Sequence, residues 1–151
     1  MSKRRFAIIV SRFNETVTER LLAGAHACFI DNGFDDKDIA IHSVPGAWEL
    51  PIAALHAARN GFAGVVAIGC VVRGDTPHFD YVAGGAAEGL ARVSVETGVP
   101  IAFGVLTTET MQQALDRAGG KHGNKGYEAA QTALEMADLI GRMQEERASK
   151  K

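Results

Sequence analysis

The stretch VVAIGCVVRGDTPHFDY, residues 65–81, decides the fold. Residues 65–72 carry no polar side chain. A strand with one wet face alternates apolar and polar residues, whereas a strand covered on both faces has no need to. The run therefore reads as a strand of a parallel sheet with helices packed over both sides. Gly74 then lets the chain turn. Thr76 reads as an N-cap and Pro77 as the first residue of a helix that continues to about residue 96.

Working outward, three more apolar runs rich in Val and Ile read as strands, at residues 6–10, 39–44 and 101–106. Segments with helical spacing separate them. The first covers residues 16–32, where Thr16 and Glu19 have capping-box spacing. Val17, Leu21, Ala25 and Phe29 form its apolar stripe, and Asn32-Gly33 its stop. Others cover about 49–59, 109–117 and 125–144, and the charged tail EERASKK is expected to fray. Strands alternating with helices specify an α/β fold with right-handed crossovers. The expected architecture is a flavodoxin-like three-layer α/β/α sandwich, with a four-stranded parallel sheet of order 2-1-3-4.

The chain has 151 residues, is 46% hydrophobic and 23% charged, and carries a net charge of −2. That length and composition predict one globular domain, residues 1–151. No basic surplus calls for nucleic acid or an anionic membrane, so any phosphate must be held locally. No apolar run reaches the roughly 18 residues a membrane span needs. The run after MSKRR is too short for a signal peptide. Cys28 and Cys70 sit in apolar stretches and read as two reduced core thiols of a cytoplasmic protein.

In an open parallel sheet, ligands bind outside the carboxyl ends of the strands. Four loops occupy that position here: Ser11-Arg12-Phe13-Asn14, Pro45 to Glu49, Arg73 to Asp80, and Thr107-Thr108. Phe13 is either an aromatic at the edge of the core or a face on which a planar heterocycle stacks. Asn14 is either a helix cap or a ligand partner. Ala47, Trp48 and Glu49 open a helix whose free N–H groups can bind an anion or hydroxyls. The helix dipole favours Glu49 there in any case, and a polyol is the alternative partner. Asp75 and Thr76 lead into a turn whose N–H groups suit phosphate. His78, in the first turn of that helix, is placed to move a proton, although a lone histidine is more often structural. Arg117, Lys121 and Lys125 flank Gly119, Gly120, Gly123 and Gly126. That stretch is a solvated turn at a helix end or a phosphate-contacting loop.

Several motifs are missing. Neither G-x-G-x-x-G after the first strand, nor G-x-x-x-x-G-K-[ST], nor G-x-S-x-G occurs, which argues against dinucleotide, P-loop and serine-hydrolase sites. Five His and two Cys show no metal-ligand spacing, so no metal is expected.

Taken in order, S-R-F-N, V-P-G-A-W-E-L-P, A-I-G-C-V-V-R-G-D-T-P-H-F-D-Y, F-G-V-L-T-T and G-N-K-G-Y-E-A-A resemble the 6,7-dimethyl-8-ribityllumazine synthase family over nearly the whole chain. The resemblance implies condensation of 5-amino-6-(D-ribitylamino)uracil with 3,4-dihydroxy-2-butanone 4-phosphate, without cofactor or metal. It further implies that Phe13 stacks on the pyrimidine beside Asn14, and that Ala47, Trp48 and Glu49 hold the ribityl chain. Val71 and Val72 would meet the uracil edge, Asp75 and Thr76 the phosphate, and His78 would shuttle protons. Family sites lie between the subunits of a pentamer. Phe103, Arg117 and Lys125 would therefore come from the neighbour, Arg117 pairing with phosphate and Lys125 helping to close the site. A non-catalytic flavin or lumazine binder, or a shell-forming oligomer, would keep the aromatic shelf but would not need His78, Arg117 and Lys125 together. Only about five residues precede the first strand, so a pentamer is expected, with decamer and sixty-subunit shell left open.

Overall fold

The computed structural model describes residues 4–149. Met1 to Lys3, where the signal-peptide reading begins, and the last two residues of the EERASKK tail lie outside the described residues. The strands are β1 (Phe6–Ser11), β2 (Ile39–Val44), β3 (Gly64–Val72) and β4 (Ile101–Thr108). They form one parallel sheet of order β2-β1-β3-β4, as expected. The helices are α1 (Glu15–Asp31), α2 (Leu50–Ala58), α3 (His78–Thr97), α4 (Met111–Asp116) and α5 (Lys125–Ser149).

Strand pleating sorts the core into two layers. Along β1, Phe6, Ile8 and Val10 face α1 and α5, while Ala7 and Ile9 face α2 and α3. The central strand β3 is buried from Gly64 to Val71, which is what its unbroken apolar run requires. On the edge strand β2, by contrast, Ile41, His42 and Ser43 are exposed. Phe6, Phe29 and Phe34 pack with ring centroids 5.0–5.9 Å apart and close the layer at the amino end of β1. Burying each such ring contributes about 1.5–3 kcal/mol. The opposite, carboxyl end of the sheet is left for the site. Cys28 and Cys70 are buried and unpaired, as read. Among the described residues no helix is long and apolar enough to cross a membrane.

Several boundaries moved, each for a physical reason. α1 begins at Glu15, not Thr16, and the Thr16–Glu19 capping box does not form. Asn14 occupies the N-cap position with φ 61° and ψ 48°, and its side chain bonds elsewhere. Ser11, assigned to the exit loop by sequence, closes β1 and is buried. A 3₁₀ turn at Ala47–Glu49 precedes α2. Pro77 is the N-cap of α3 and His78 its first residue, one position later than Thr76 and Pro77 suggest. α4 starts after Thr110, whose hydroxyl accepts the Gln113 N–H at 3.1 Å while Gln113 reaches back to the Thr110 N–H. Strands β5 (Ala118–Gly120) and β6 (Gly123–Asn124) pair as a small hairpin inside what sequence reads as a turn. α5 runs to Ser149 instead of ending near Gln144. Gln, Glu, Arg and Ala are good helix formers, so charge alone does not fray that segment.

Candidate active site

Three strand exits are tied to one another by the backbone. The Arg12 N–H donates to the Val44 carbonyl at 2.8 Å and the Phe13 N–H to the Pro45 carbonyl at 3.0 Å, joining the exits of β1 and β2. The Asn14 Nδ2 donates to the Cys70 carbonyl at 2.9 Å, joining β1 to β3. Asn14 is the one described residue other than glycine with positive φ, a conformation Asn tolerates better than most. Asn14 is the N-cap residue of α1, one of the two roles foreseen for it, but it caps through its backbone carbonyl and not its side chain. It braces the loop that presents Phe13.

These bonds frame a cleft of about 740 Å³ at the carboxyl ends of β1, β2 and β3. Phe13, Ala47, Trp48, Glu49, Val71, Val72, Thr76 and His78 line it, together with Cys70 and Tyr81. Phe13 is 71% exposed, Trp48 61% and Tyr81 72%. Three large rings standing in water around one cleft are what a flat apolar ligand needs and what a folding core would have buried. The Trp48 ring lies against α3 where a Cβ on Gly85 would collide with it. Pro51 likewise occupies the space of a Cβ on Gly89. The glycines inside α3 therefore make room for the α2 entrance and its tryptophan.

Glu49 is half-buried, and its Oε1 accepts the Gly46 N–H at 2.9 Å. The helix-start reading of Glu49 is realised in that bond, which also aims the carboxylate along the cleft wall. The His78 N–H points at the Thr76 hydroxyl at 3.4 Å. Both side chains reach the cleft, whereas Asp75 is exposed in the same loop and does not line it. Burial pushes the Cys70 thiol up to about 11, so it stays protonated and unreactive in the cleft floor.

Arg73 was missed by the sequence reading. Its N–H donates to the Thr108 carbonyl at 2.8 Å and its guanidinium pairs with Glu109 at 2.9 Å. The same group stacks on Phe79, 4.6 Å from the ring centroid, and reaches Asp80 at 3.4 Å. Arg73 thereby ties the first turn of α3, which carries His78, to the exit of β4. A cation at a strand exit followed within a few residues by an aromatic and an acid was the available signal.

Phe103, Arg117 and Lys125 are not brought to this cleft by the same chain. Phe103 stands on the edge strand β4, 38% exposed. Arg117 and Lys125 line a separate cavity of about 510 Å³ with Thr107, Gln113, His122 and Glu128. Arg117 Nη1 also donates to the Gln113 carbonyl at 3.1 Å, the helix-end role foreseen for it. Lys121 is exposed and does not line the cavity. Among the described residues no group of three or more His, Cys, Asp or Glu is arranged to hold a metal.

The sheet order and the aromatic cleft at its carboxyl end define a flavodoxin-like α/β ligand-binding protein. A model of the 6,7-dimethyl-8-ribityllumazine synthase family matches residues 3–141. The synthase of that name from Chlorobium phaeovibrioides is 51% identical over 140 residues, covering 92% of this chain and 90% of the relative. Those from Aquifex aeolicus and Syntrophus aciditrophicus are 51% and 52% identical over 137 residues, covering 90% of this chain and 89% of each relative. The chain belongs to the 6,7-dimethyl-8-ribityllumazine synthase family.

Proposed function

We propose that the protein is a 6,7-dimethyl-8-ribityllumazine synthase acting in riboflavin biosynthesis. It condenses 5-amino-6-(D-ribitylamino)uracil with 3,4-dihydroxy-2-butanone 4-phosphate and releases inorganic phosphate and water. The observation that carries this reading is the gathering of Phe13, Trp48, Glu49, Thr76 and His78 around one cleft. Phe13 stacks on the pyrimidine beside Asn14, and the backbone at Val71 and Val72 meets the uracil edge. Ala47, Trp48 and Glu49 hold the ribityl chain. N–H groups at Asp75 and Thr76, with the positive end of α3, hold the phosphate.

The chemistry follows from that arrangement. The uracil amine attacks the ketone, and loss of water leaves an imine. A proton leaves the carbon next to the imine as the phosphate departs with the bonding pair of its C–O bond. The ribityl-bearing nitrogen then closes the second ring, with loss of a further water. His78 takes and returns these protons. Holding two substrates in one orientation supplies much of the acceleration, and proton transfer the remainder.

Phe103, Arg117 and Lys125 act from a neighbouring subunit in a homopentamer or a multiple of pentamers. Their separation from the cleft within one chain supports this. The unpaired cysteines support a cytoplasmic setting, and residues 1–151 act as a single domain. The test is incubation of the purified protein with both substrates. The expected result is a fluorescent lumazine with one equivalent of inorganic phosphate. Folded, assembled protein that yields neither, yet binds flavin, would replace the synthase by a binding protein.

A further inference from the structure

The hairpin flanked by Arg117 and Lys125 is seated in the core through Ala118 and bonded to α1 through Asn124, an asparagine to which no role has been given. Asn124 Nδ2 donates to the Arg20 carbonyl of α1 at 3.0 Å. Its Oδ1 accepts the Tyr127 N–H at 3.0 Å, capping α5. Asn124 also pairs with Ala118 across the hairpin, and the Lys125 N–H donates to the Arg117 carbonyl at 2.8 Å. The two cations are thus joined backbone to backbone, with Asn124 beside the joint.

Two glycines on different elements make this contact possible. A Cβ on Gly24 of α1 would overlap the Asn124 amide, and a Cβ on Gly126 would overlap the Leu21 carbonyl. A cap serving α5 alone would need neither glycine nor a donor bond to a residue 104 positions away. The hairpin itself contains Gly119, Gly120 and Gly123, two of them at positive φ, so its own backbone resists motion poorly.

We propose that Asn124 is a positioning residue for the phosphorylated substrate. It clamps the hairpin to α1 so that Arg117 and Lys125 converge on the cavity beside β4. This rests on the synthase reading. Without the clamp, the ordering of the hairpin falls on phosphate binding and weakens it. The uracil, assigned above to Phe13, Val71 and Val72 and not to the hairpin, is unaffected.

Two variants isolate the clamp. Asn124→Asp keeps the acceptor for Tyr127 and places an anion at the start of α5, but removes the donor to Arg20. Gly24→Ala displaces the same amide from the α1 side, adds no charge, and substitutes a better helix former. In both, the KM for the butanone phosphate should rise about tenfold. The KM for the uracil and kcat should change little; the melting temperature should hold in Asn124→Asp and fall in Gly24→Ala, which also displaces the Oδ1 that caps α5. Calorimetric titration with inorganic phosphate should show a matching tenfold loss in each variant, and it needs no turnover. Unchanged phosphate affinity in either variant, or a parallel rise in both KM values, overturns the clamp. Wild-type protein without turnover overturns the synthase reading instead, and the phosphate titration then decides the clamp alone.

Discussion

The aromatic cleft and the cationic hairpin are two solutions to presenting ligand-facing side chains. In the cleft, Phe13, Glu49 and Thr76 follow directly from strand ends, and neighbouring exits are stitched by backbone bonds such as Phe13 to Pro45. Position along the chain nearly dictates position in space. The hairpin is a glycine-rich excursion seated by Ala118 in the core and bonded to α1 by the Asn124 side chain. The cleft is therefore stiff by construction, and the hairpin is stiff only by attachment.

This contrast makes the two regions fail differently. The largest effect is expected in the cleft. His78→Ala should lower kcat by roughly 10²–10⁴-fold while leaving both KM values nearly unchanged. Steady-state kinetics decide this, and a loss below tenfold would remove the proton-transfer role. In the hairpin, Arg117→Ala should act on binding. Removing one charge-assisted bond corresponds to roughly 10–100-fold in the KM for the butanone phosphate. An equal rise for the uracil would break the division between the two regions.

Smaller effects test how the cleft floor is built. The folded Cys70 thiol sits at about 11 against an ordinary 9.0, raised by burial. Its contribution to stability is intact below about pH 9 and lost as pH rises through about 11. The unfolding free energy should therefore decline over that interval by at most about 2–3 kcal/mol, and Cys70→Ala should flatten the decline. Smallest is the brace behind Phe13. Asn14→Ala loses the bond to Cys70 and strains a left-handed backbone, and should cost about 1–2 kcal/mol in urea unfolding. Asn14→Gly should recover the part due to strain. Equal losses in the two variants would assign the whole effect to the hydrogen bond.

Much of the fold was legible because period and punctuation are local. The apolar run of β3 announced a strand covered on both sides, alternation with helices announced a parallel sheet, and the flavodoxin-like type supplied its order. The cleft was legible for the same reason, since aromatic and glycine-bearing loops fell at strand exits. Capping was read less well. Thr16 and Glu19 have the spacing of a capping box, yet Asn14, bonded to Cys70, starts α1. Local propensity lost there to a bond spanning 56 residues. Arg73 escaped notice because the partner that fixes it, Glu109, lies 36 residues further on, past the end of β4. The β5–β6 hairpin looked like an unstructured turn because three glycines carry no periodic signal.

The residues alone determined the layers, the parallel run of the strands and the end of the sheet where chemistry gathers. Each of these depends on hydrophobic period and chain direction, which a single segment already carries. Only the folded chain decided that Gly85 yields to Trp48, that Gly24 and Gly126 admit Asn124, and that Arg117 stands apart from His78. Those are matters of excluded volume and bond partners between segments far apart in sequence, and no window along the chain contains both sides of such a contact.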